Sequence, residues 1–241
     1  MLNEIYYFLK PFIPWSVRLA LRRQRARSRR ATYADTWPID AKAGAHPPGW
    51  PGWPGGKKFA FVLTHDVEGA KGLSRVAQLA AKETRNGFRS SFNFVPEGEY
   101  ILSPDLRENM IRQGFEVGVH GLQHDGKLYA SKEEFAGKAA QIRNFLREWN
   151  ACGFRSPLMQ HKLAWLHQLG VEYDASTFDT DPFEPEPDAV GTVFPFWVPG
   201  PNKSGFVELP YTLPQDFTLF VVLREPHIEI WKKKLDWVAA R

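Results

Sequence analysis

The period of apolar and polar positions switches several times along the chain, and the switches come in a regular order. From Phe59, "FAFVLT" is a short, nearly continuous apolar run of strand length. It is followed by "GLSRVAQLAAKETRNG", whose apolar residues recur at three- and four-residue intervals up to Gly87, the pattern of an amphipathic helix closed by glycine. The alternation then repeats. "SSFNFVP" predicts a second strand, "SPDLRENMIRQG" a helix capped by Ser103 and stopped at Gly114, and "FEVGVHG" a third strand. "SKEEFAGKAAQIRNFLREWN" predicts a long helix, with Ser131 and Glu134 spaced as a capping box. "CGFRSP", "VEYDAST", "GFVELPYT" and "FTLFVVL" read as further strands, and "HKLAWLHQLG" and "PHIEIWKKKLDWVAAR" as helices. Strands alternating with helices predict parallel βαβ units. In such units, chemistry gathers where the strands end at their carboxyl edge.

Upstream of Phe59 the pattern is different. Residues 1–30 have the periodicity of an amphipathic helix, with Pro11 and Pro14 interrupting its early part. Residues 31–58 include "HPPGWPGWPGGKK", too rich in proline and glycine for a helix or a central strand, and read as an irregular connector. The expected division is therefore a basic helix and connector over 1–58, followed by one α/β domain over 59–241.

Composition narrows this picture. The single cysteine, Cys152, excludes an internal disulfide framework and a multi-cysteine zinc site. No apolar run approaches the eighteen or so residues that span a bilayer. The N-terminus does not read as a secretory signal, because an acid and a proline interrupt it and its basic block follows the apolar part. A cytoplasmic location is the expectation, with peripheral membrane association as an addition to it. The net charge of +4 is uneven, since residues 17–30 hold seven arginines and no acid. That block suits either a solvated helical face or contact with anionic lipid. No nucleic-acid motif accompanies it, so a nucleic-acid partner is not expected.

The polar residues at the predicted strand ends carry the candidate chemistry. "LTHDVEG" closes strand one on Asp66 and Glu68, "VHGLQHDG" follows strand three with His120 and His124, and "GFRSP" ends strand four on Arg155. On one helical turn, positions i and i+4 share a face, so the two imidazoles can bind one divalent metal. Gly121 stands where a zinc protease would need glutamate. Two neutral histidines and one carboxylate make a three-ligand set with an open position, which frees the other carboxylate to act as a base held ionised by Arg155. His65 reads equally as a mouth residue or a structural one, and His161 and His167 read as structural. Asp174, Asp179 and Asp181 read either as a rim to the cleft or as solvated loop charge.

T-x-D-x-E, H-x-x-x-H and G-F-R-S-P, in that order on successive strand ends, resemble the polysaccharide deacetylase family, also called the NodB-homology domain or carbohydrate esterase family 4. The resemblance covers roughly residues 59–223. It implies a distorted (β/α)7 barrel and metal-dependent removal of N-acetyl groups from a sugar or polysaccharide. Asp66 resembles the family's catalytic base, with Arg155 beside it, and Glu68, His120 and His124 resemble the metal ligands. Zinc is the first expectation for the ion, and cobalt, nickel or iron would fit the same ligands. Pro157, Trp197 and Asp179 are the residues expected to face an N-acetylated saccharide, with Trp197 either stacking on a sugar ring or packing in the core.

The first motif is similar to the family's D-V-D variant with Glu68 in place of the last Asp, and the longer side chain leaves open that Asp66 itself binds the ion. The family's last motif is a strand ending in Leu-x-His-Pro whose histidine resembles a general acid. His227 in "REPHIEIW" instead follows a proline at a helix start, so the expectation is a domain whose last β unit lies beyond Arg241. Two other readings remain: hydrolysis of another non-peptide C–N bond in a cyclic or linear amide, and a catalytically inactive carbohydrate-binding module.

Overall fold

The computed structural model describes residues 13–184, 188–201 and 204–241. In chain order its main elements are α1 (Trp15–Arg30), β1 (Thr64–Val67), α2 (Ala70–Leu73), α3 (Val76–Arg85), β2 (Ser91–Phe94), α4 (Pro104–Arg112), β3 (Glu116–His120) and α5 (Lys132–Trp149). They continue with β4 (Gly153–Arg155), α6 (Leu163–Leu166), β5 (Tyr173–Asp174), β6 (Phe196–Pro199), β7 (Gly205–Glu208), a π-helix (Phe217–Val222) and α7 (Glu229–Ala239). The helix expected over residues 1–30 is present from Trp15, and residues 1–12 lie outside the described residues. The chain forms two compact units, one of Gly49–Thr177 with Phe194–Tyr211, the other of Met1–Pro48, Phe178–Val193 and Thr212–Arg241.

The first unit holds a seven-stranded sheet in the order β1-β2-β3-β4-β5-β7-β6. Every pairing is parallel except β6 with β7. Strands that follow one another in both sequence and space are what βαβ winding produces, and the mixed α/β sheet agrees with the expected distorted barrel. Phe92, Phe94, Val117, Val119 and Phe154 point from the sheet into one core with Phe135, Ala139, Ile142 and Leu146 of α5. Burying each such large side chain contributes about 1.5–3 kcal/mol. The caps lie where the sequence places them: Ser103 Oγ accepts from Leu106 N–H at 3.2 Å and Ser131 Oγ from Glu134 N–H at 3.1 Å.

Four local expectations are corrected. "FAFVLT" is not a strand before Thr64, and Phe59, Phe61 and Val62 are exposed. The β1–β2 ladder begins where Ser91 N–H donates to the Leu63 carbonyl, so earlier residues have no strand to pair with. "FTLFVVL" is the π-helix, with Thr218, Leu219 and Val222 buried; a short continuous apolar run does not distinguish a strand from a buried helix. β6 went unpredicted because prolines bracket its four residues. The helix after β1 is split into α2 and α3.

The second unit has its own small core of Ala26, Trp37, Phe183, Leu219 and Val222. Much of the basic block on α1 is engaged within that unit. Arg22 pairs with Glu184 at 3.2 Å, Arg23 Nε donates to the Val221 carbonyl, Arg29 donates to the Pro182 carbonyl, and Arg30 pairs with Glu225 at 2.6 Å. Arg25 and Arg27 face solvent. Among the described residues no helix is long and apolar enough to cross a membrane. Lys234 of α7 is buried with its ammonium 2.7 Å from Asp179 Oδ2 and 3.1 Å from Thr180 Oγ1. Removing one partner of a buried ion pair leaves an uncompensated charge. Lys234→Met is therefore expected to lower stability by about 3–5 kcal/mol, and adding Asp179→Leu should restore most of the loss, as read from urea unfolding midpoints.

Candidate metal centre

Asp66 lies on β1 directly across from Asn93 on β2, and Glu68 follows just past the strand end. His120 is the last residue of β3 and is fully buried. Its Nδ1 lies 3.0 Å from the Arg155 carbonyl oxygen. A carbonyl can only accept, so Nδ1 carries the proton and Nε2 is left with its lone pair. That Nε2 is buried and has no hydrogen-bond partner among the described residues. After His120 the chain turns at Gly121, whose φ of 68° favours glycine, and a Cβ there would also collide with the ring of Pro157. The turn carries His124 back, with the two imidazole centroids 5.3 Å apart. The histidines thus meet across a strand end and a loop, not on the helical turn that their spacing suggests.

His124 Nε2 lies 3.2 Å from Glu68 Oε1, within ion-pair range but off the line of a hydrogen bond. One ligand atom from each of Glu68, His120 and His124 lies within 4.8 Å of the others. This donor set, with an orphaned buried imidazole nitrogen at its centre, fits a divalent cation. Two of the three protonation tendencies favour the ligand form, and that of His124 follows from its carboxylate neighbour. Burial pushes His120 down, toward the neutral ligand form. The His124 imidazole beside Glu68 holds that carboxyl below its usual range. Burial opposes charge on His124, but the Glu68 carboxylate outweighs it and raises the histidine.

Arg155 ends β4, with its side chain only 2% exposed. One guanidinium nitrogen is 3.4 Å from Asp66 Oδ2, and the group lies 4.6 Å from the centroid of the Tyr211 ring. Asn93 Nδ2 donates to the other oxygen, Asp66 Oδ1, at 3.1 Å. Burial would raise Asp66, but Arg155 foremost, with His120 and Asn93, holds it below the ordinary carboxylate range.

The structure brings together Asp66, Glu68, His120, His124 and Arg155. Pro157 is buried against Gly121 and shapes the turn between the two histidines. Trp197 on β6 is 56% exposed, with its indole lying against Gly205. Asp179 is in the other unit, buried, with both oxygens held by Lys234, so it is not offered to solvent. Asp174 and Asp181 are buried too, and none of the three is solvated loop charge. His65 is structural, 2.5 Å from Glu83, which also accepts from Ser90. His167 packs on Phe206, and His161 Nδ1 lies 3.1 Å from the Met159 carbonyl. His227 is exposed in the turn before α7, not at a strand end.

Asn93 was missed by the sequence reading, although a buried amide in the otherwise apolar "FNFV" is a signal. The tie between Asp174 and Glu208 also went unread. These neighbours on β5 and β7 share donors: Ser176 N–H lies 3.1 Å from Asp174 and 3.2 Å from Glu208, and Thr177 Oγ1 donates to Glu208 at 2.6 Å. Burial, then the Asp174 carboxylate, pushes Glu208 up to about 10.

No protein-family model and no curated protein matches the sequence. Solved structures do. The Puue allantoinase matches with a TM-score of 0.58 at 16% identity, over 85% of this chain and 80% of that one. A family 4 carbohydrate esterase from Streptomyces lividans matches with a TM-score of 0.40 at 17% identity, over 74% of this chain and 88% of that one. The chitin deacetylase from Colletotrichum lindemuthianum has a TM-score of 0.40 at 16% identity, over 73% and 80%. The allantoinase likeness speaks to the fold alone, and it agrees with the distorted α/β barrel expected from the sequence.

The Glu208 carboxyl gives a test of the site's foundations. Its folded pKa is raised, so between about 4.5 and about 10 the native state holds a proton that the unfolded chain has lost, and stability falls as pH rises. Glu208→Gln mimics the protonated group. It should gain stability relative to the parent as pH is raised through that window, and the two should converge below pH 4.5, measured by urea unfolding across pH.

Proposed function

We propose that this chain is a metal-dependent hydrolase that removes an N-acetyl group from a saccharide. The observation that carries the reading is the meeting of Glu68, His120 and His124 donors within 4.8 Å, beside an Asp66 that faces Arg155. Glu68, His120 and His124 hold the ion. Bound there, a divalent cation supplies Lewis acidity at the acetamide carbonyl and eases deprotonation of water.

The remaining work belongs to the chain. Asp66 acts as the base: Arg155 keeps it ionised, and its two oxygens are held by Asn93 and Arg155 rather than by the imidazoles. It takes a proton from the attacking water as the water oxygen bonds to the acetyl carbon. The C–N bond then breaks, the amine leaves with the proton that Asp66 took up, and the acetic acid formed ionises to acetate. His120 is fixed in one tautomer by the Arg155 carbonyl, so its lone pair stays aimed at the ion site.

Metal analysis and acetate release from N-acetylated sugars test this reading. His120→Ala should lose the metal and the activity together. Asp66→Asn should keep the metal and lower turnover by roughly 10²–10⁴. If Asp66→Asn lost the metal while Glu68→Gln kept it, the two carboxylate roles would be reversed. Opening of a cyclic amide without acetate release would replace the saccharide assignment.

A further inference from the structure

The base of the proposed site is held by more than Arg155. Asn93 is 3% exposed on β2, and its amide nitrogen donates to Asp66 Oδ1. An amide can flip, and with its oxygen toward Asp66 it would repel the carboxylate. The Asp66 carboxylate can only accept, so it selects the NH2 end of the amide. Ser91 Oγ donates to Asn93 Oδ1 at 3.3 Å and satisfies the end that faces away from Asp66. Gly118, Asn93's partner on β3, has no side chain, and a Cβ there would collide with Asn93 Oδ1. The amide oxygen therefore fills the volume that a side chain at 118 would take.

Resting on the proposed function, we infer that Asn93 is a positioning residue for Asp66, its oxygen end satisfied by Ser91 and accommodated by the bare backbone of Gly118. Arg155 and Asn93 each take one oxygen, so the carboxylate plane is fixed from two sides. A single contact would leave it free to rotate. A base out of place by about 1 Å can lose about a hundredfold in rate, whereas substrate binding need not change.

The test uses the full chain. Asn93→Leu keeps the branched outline of the side chain and removes the donor. It should lower kcat about a hundredfold, with KM and metal content close to the parent. Gly118→Ala keeps Asn93 but displaces its amide and should reproduce the loss, and the double variant should be no worse than either alone. Ser91→Ala should fall between them and the parent. A second readout needs no activity: the Asn93 side-chain amide proton, observed by NMR in metal-free protein, should lie downfield and move upfield in Asp66→Ala. Asn93→Leu with parental kcat, or an amide signal indifferent to Asp66→Ala, overturns the inference. If the parent releases no acetate from any sugar, the functional reading fails, and the amide signal alone decides whether Asn93 positions Asp66.

Discussion

A guanidinium almost wholly withdrawn from water must be compensated, and the strand ends of the first unit are organised around that requirement at Arg155. Its compensation comes from the Asp66 carboxylate on one side and the face of Tyr211 on another. The same residue offers its backbone carbonyl to His120. One short strand therefore fixes a carboxylate by its side chain and an imidazole by its main chain. The proposed base and the proposed ligand are thereby both tied to one residue, whose side chain is held by burial. The parallel ladder β1-β2-β3-β4 supplies the remaining alignment.

The strand–helix alternation was legible because each unit carries its own punctuation: Ser103 and Ser131 at helix starts, Gly87 and Gly114 at helix ends. Where that punctuation is absent, the reading failed. "FTLFVVL" has only a continuous apolar run, and burial on all sides erases the period that separates helix from strand. β6 is short and bracketed by prolines. The first strand starts later than its apolar run, because pairing depends on how far β2 extends and not on apolar character.

The site was legible in the identity of its residues but not in its geometry. Asp66, Glu68, His120, His124 and Arg155 stand out as polar groups ending apolar strands, and the structure gathers them. The route by which His124 reaches His120 depends on the turn at Gly121, which spacing alone does not reveal. Asp179 looked like a cleft residue because it sits in an acidic, proline-rich stretch. Its partner Lys234 is 55 positions away, and a buried pair at that separation leaves no local trace. Asn93 meets Asp66 on one neighbouring strand and Gly118 on the other, and such relations appear only when the strands are laid side by side.

Gly118 and Gly153 share a consequence. A side chain at Gly118 would strike Asn93, and one at Gly153 would strike the Tyr173 ring. Each glycine is a recess cut to the outline of one polar group on the adjoining strand. Transplanting the carboxylates and imidazoles of the candidate site onto another barrel would therefore call for transplanting the recesses with them. Within this chain, each glycine and the group it accommodates can change only as a matched couple.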